Sequence, residues 1–91
     1  SRPKLITVIA ELEKAIDKMR GRNAVLYTNI RFNSVGEPIP VKTYTNCGAS
    51  VFMEVNGQSI IFACDKYDRL ACNIKSISET IFLPHPRNRR C

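Results

Sequence analysis

Ninety-one residues with fourteen Lys and Arg against eight Asp and Glu, a net charge of +6, make one domain near the size at which a single core suffices. That length excludes a second domain, and no apolar run approaches the roughly 18 to 20 residues of a membrane span. The cationic surplus favours an acidic partner, nucleic acid or an acidic protein face, through long-range attraction and counterion release.

The chain opens SRPKLITVIAELEKAIDK, but Glu11, Glu13 and Asp17 interrupt the apolar run too early for a secretory h-region, so a cytoplasmic protein with reduced thiols is expected. From about Pro3 to Arg20, the residues Leu5, Val8, Ile9, Leu12, Ile16 and Met19 recur at helical spacing, with Pro3 in the first turn and Gly21 just past the end. Lys18, Arg20 and Arg22 crowd its C-terminal end, where cations complement the helix dipole.

Ala24 to Phe32, AVLYTNIRF, reads as a strand with Leu26, Thr28, Ile30 and Phe32 on one face and Val25, Tyr27, Asn29 and Arg31 on the other. NSVGEPIP then reads as a turn, and part of Val41 to Thr45 as an edge strand. In ASVFMEVNGQSIIFAC, Asn56-Gly57 is the preferred two-residue type I′ hairpin turn. With those two residues as the loop, Val55 faces Gln58, Met53 faces Ile60, Val51 faces Phe62 and Ala49 faces Cys64. The opposite face pairs Phe52 with Ile61, an apolar couple on the side that two helices in so short a chain would leave uncovered, and hence a contact surface.

The second helix is expected from near Asp65, with Leu70, Ile74, Ile77 and Ile81 as its buried stripe, Asp65 as its cap and Asp68 in its first turn. Pro84 and Pro86 stop it, which leaves residues 84–91 as an extended basic C-terminal tail after a domain over 1–83. The architecture is thus α+β, ordered α-β-β-β-α: an antiparallel sheet of three to four strands with both helices packed on one face. Its expected core is Leu5, Ile9, Leu12, Ile16, Leu26, Ile30, Val51, Met53, Ile60, Phe62, Leu70, Ile74 and Ile77.

Signals for catalysis are weak. Cys47, Cys64, Cys72 and Cys91 miss the short paired spacing of a zinc site, and they read as three small buried or half-buried side chains and one loose terminal thiol. Cys64, beside a helix start with Lys66 and Arg69 near, could be a nucleophile, yet it continues the Ile60 and Phe62 face, and the single histidine, His85, sits between prolines where it is a poor general base. Without a phosphate loop, a nucleophile elbow or a metal signature, no catalytic residue, cofactor or metal is expected. Binding is the expected activity. The cations of the tail, Arg87, Arg89 and Arg90, and Arg31 on the sheet surface would meet phosphates, while the aromatic rings of Tyr27 and Phe52 on that surface would stack on unpaired bases. The competing expectation is a protein contact or homodimer through Phe52 and Ile61.

GRNAVLYTNIRF and the hairpin ending IIFACDKYDRLACNIKSISETI resemble a small domain of phage, plasmid and other mobile-element proteins that often precedes a J-domain. The resemblance runs from about Glu11 to Ile81 and is most distinctive over Ala63 to Ile77. It implies a mobile-element context more than a biochemical activity. A chaperone role does not carry over, because His85-Pro86 is followed by Arg87 in place of the aspartate a J-domain requires. Together these readings give a binding protein for nucleic acid or a nucleoprotein complex, or else an inhibitor or adaptor aimed at a host defence complex. A thiol-dependent enzyme comes third.

Overall fold

A computed structural model describes residues 3–29, 31, 33–37, 47–81 and 88–91, and for 88–90 only the backbone. Ile30, Phe32, Val41 to Thr45, Pro84, His85, Pro86 and Arg87 lie outside the described residues. The fold is α+β, in the order α1 (Leu5–Lys18), β1 (Arg22–Thr28), β2 (Ala49–Val55), β3 (Gln58–Cys64) and α2 (Leu70–Thr80), followed by a short β4 (Asn88–Arg90).

α1 forms where the apolar period predicts it and buries Val8, Leu12 and Ala15. Its end uses an unexpected device. The residue in the left-handed region is Arg20, at φ 60°, and Gly21 is not. The Arg20 N–H donates to the Asp17 carbonyl at 3.0 Å and the Gly21 N–H to the Ile16 carbonyl at 2.9 Å, the paired bonds of a Schellman motif. Gly21 is needed for closeness: a Cβ there would stand 2.6 Å from Met53 Sδ and 2.9 Å from Ile16 Cγ2.

The hairpin has the register that Asn56-Gly57 dictates. Val55 pairs with Gln58, Met53 with Ile60, Val51 with Phe62, Ala49 with Cys64 and Phe52 with Ile61. Asn56 at φ 51° and Gly57 at φ 76° supply the two positive dihedrals of a type I′ turn. β1 adds antiparallel to β2, with a register shift between Arg22 and Val25. Asn23, at φ 53°, occupies this bulge, and its Nδ2 donates to Glu54 Oε1 at 2.8 Å. The sheet order is β1-β2-β3-β4. β4 runs parallel to β3, so residues 88–90 of the expected extended tail are a strand, and beside the antiparallel β1-β2-β3 sheet stands a parallel fourth member.

One core cluster joins Val8, Leu12 and Ala15 to Ala49, Val51, Met53, Phe62 and Cys64 and to Leu70, Ala71, Ile74, Ile77 and Ile81. Leu5, Ile9, Ile16, Leu26 and Ile60, expected inside it, are partly buried against it. α2 begins at Leu70, later than Asp65, with Arg69 at its N-cap and no acidic residue in its first turn, so neither Asp65 nor Asp68 caps it. The cause lies one turn ahead, at Asn73.

Candidate functional site

Asn73 is fully buried and fully used. Its Oδ1 accepts the Tyr67 N–H at 2.9 Å, and its Nδ2 donates to the carbonyls of Tyr67 at 3.0 Å and Cys47 at 2.6 Å. A helix running through 65–69 would turn the Tyr67 carbonyl to the N–H four residues on instead. The amide instead folds the segment into bends and ties it to the chain entering β2. The dense stretch from Cys64 to Asn73 is therefore a structural clasp.

Cys64 and Cys91 form a disulfide with Cα atoms 4.9 Å apart, within the ordinary span for such a link. The expectation of reduced thiols and a loose Cys91 is corrected: the parallel β4 carries Cys91 back to the end of β3, and its N–H donates to the Ala63 carbonyl at 3.0 Å. Cys47 and Cys72 are free and half-buried. A Cys64 nucleophile for an external substrate also loses its setting, since the residue is buried, linked and not at the start of α2.

Register places the remaining candidates. Val25, Phe52 and Ile61 are successive cross-strand partners, and Asn88 continues the row. The neighbouring row holds Tyr27, Ser50, Ala63 and Arg90. On the outer face Tyr27 is 59 % exposed, Ile61 45 % and Val25 42 %, while Phe52 is half-buried between its neighbours. Tyr27, Phe52 and Ile61 are thus brought together as expected. Val25, expected on the Tyr27 face, joins them as the partner of Phe52.

The arginines divide. Arg90 falls on the Tyr27 row, whereas Arg89 pairs with Phe62, on the row of the buried face. Arg31 is exposed beyond the end of β1, and Arg87 lies outside the described residues. At the end of the sheet, Tyr27, Asn29, Gly48, Ser50, Ala63 and Asp65 border an open depression of about 460 Å³. Asp65 in its lining makes it a poorer seat for a phosphate than for an uncharged ring.

Among the described residues, no group of three or more His, Cys, Asp or Glu is placed to hold a metal ion, and no helix is long and apolar enough to cross a membrane. Comparison of the chain with protein-family models, with curated proteins and with solved structures returns no match.

Proposed function

We propose that this protein is a non-enzymatic binding module whose outer sheet face takes unpaired nucleic acid, alone or within a nucleoprotein complex. The observation that carries this reading is the exposed apolar row Val25-Phe52-Ile61 with Tyr27 beside it, set in a chain of net charge +6. A flat sheet face offers aromatic rings on which bases stack regardless of sequence, and surrounding cations neutralise the backbone. A phage or mobile-element origin belongs to the same reading and rests on the resemblance of Ala63 to Ile77 alone.

The test is fluorescence anisotropy with labelled single- and double-stranded oligonucleotides at two salt concentrations. Single strands bind more tightly, salt weakens the complex, and Tyr27→Ala weakens it about tenfold through one lost stacking contact. Dissociation constants above about 1 mM at low salt overturn the proposal.

One observation favours a second reading. Val25 and Ile61 are aliphatic and offer no π-face, so the centre of the row also suits the apolar core of a protein contact, as an inhibitor or adaptor would use. Phe52→Asp then abolishes capture of a protein partner while oligonucleotides are ignored.

A further inference from the structure

β4 is three residues long, parallel to β3, and at the edge of the sheet. Parallel pairing of that length is too weak to hold a strand by itself. What fixes it is Cys91, through its N–H bond to the Ala63 carbonyl and its sulfur bond to Cys64.

The two ends of the link differ in a way that suits reversible chemistry. Cys91 is exposed and Cys64 is buried, so exchange begins at Cys91. Once reduced, the Cys64 thiol has an acceptor waiting, because its sulfur lies 3.3 Å from Asn73 Oδ1. Once linked, Cys64 has no S–H to give, yet that oxygen keeps the Tyr67 N–H at 2.9 Å. Neither state leaves Asn73 Oδ1 without a donor, so opening the link incurs no buried polar penalty there.

We infer that Cys64 and Cys91 form a redox latch that regulates the candidate binding face. Closed, it holds the backbone of Arg89 and Arg90 on the sheet, with Arg90 on the Tyr27 row; open, it releases β4. Closure is a balanced exchange with a low-molecular-weight disulfide such as glutathione disulfide. Cys91 loses its proton to solvent and attacks one sulfur of that disulfide, which forms a mixed disulfide and expels one thiolate. Cys64 then loses its proton and attacks the Cys91 sulfur, forming the internal bond and expelling the second thiolate. Two electrons pass from the cysteines to the disulfide, and its two thiolates take up two protons. A dithiol reductant runs the sequence backwards.

The effect on binding rests on the nucleic-acid reading, and the latch itself does not. The protein is equilibrated at a series of ratios of glutathione to glutathione disulfide and examined by alkylation with mass spectrometry and by amide hydrogen exchange. The expected result is a Cys64–Cys91 link that forms and opens reversibly while Cys47 and Cys72 stay alkylatable. Exchange at residues 88–91 is slow only in the linked form, and Cys91→Ser, a change at an exposed position, matches the reduced protein. Oligonucleotide affinity falls about five- to tenfold on reduction, as expected when the backbone that carries Arg90 on the Tyr27 row is no longer ordered before binding. Bonding of Cys64 or Cys91 to Cys47 or Cys72, or equal exchange at 88–91 in both states, overturns the latch. A reversible link with protected 88–91 but no oligonucleotide binding in either state leaves the latch standing and removes the nucleic-acid reading. Binding unchanged by reduction shows that the latch does not regulate the face, and overturns the inference.

Discussion

The two faces of β2 and β3 are built from the same alternating strands, yet they meet different surroundings. On one, Ala49, Val51, Met53, Phe62 and Cys64 are all buried and share a cluster with α1 and α2. On the other, Phe52 and Ile61 are cross-strand partners of the same chemical kind, and Ile61 remains 45 % exposed. An apolar side chain on the buried face repays its place by leaving water. On the outer face the same chemistry yields only a fraction of that gain, and the proposed contact would supply the remainder.

Single substitutions should separate the faces sharply. Phe62→Ala removes a fully buried ring and is expected to cost about 3 to 5 kcal/mol in chemical denaturation. Its neighbour along β3, Ile61→Ala, should cost no more than about 1 kcal/mol, because half of the side chain is already in water. Equal losses at the two positions would mean that the outer face is as packed as the inner one. An intermediate effect is expected where core and clasp meet: Asn73→Ala strips the Tyr67 N–H and the Tyr67 and Cys47 carbonyls of their side-chain partner. It should destabilise by about 2 to 3 kcal/mol, with faster amide exchange concentrated at Tyr67.

The contrast was legible where local rules act alone. Asn56-Gly57 demands a two-residue loop, and once the loop is set, alternation assigns each residue from Ala49 to Cys64 to its face. The period of Leu5 to Ile16 did the same for α1. Legibility failed where a group acts through partners far along the chain. Asp65 and Asp68 have the chemistry of helix caps, but the start of α2 is decided by Asn73, whose bond to the Cys47 carbonyl spans a separation of 26 residues. Gly21 stands just past the helix end as its position suggests, but Arg20 takes the left-handed conformation and Gly21 makes room for Met53. β4 carries no apolar alternation to announce a strand, and without it nothing brought Cys91 to Cys64.

For the candidate site, Phe52, Ile61 and Tyr27 were readable as a face. Val25 shares the Tyr27 face by alternation, but its pairing with Phe52 was open because no short turn fixes β1 against β2. The tail arginines were readable only as charge: the register that sets Arg90 and Arg89 on different rows depends on β4.

Amide chemical-shift mapping during titration with a short single-stranded oligonucleotide tests most directly whether the outer face is the proposed binding surface. The largest shifts are expected on Val25, Tyr27, Ser50, Phe52, Ile61 and Ala63, with α1 silent. Shifts centred on α1, or none at saturating oligonucleotide, would contradict it.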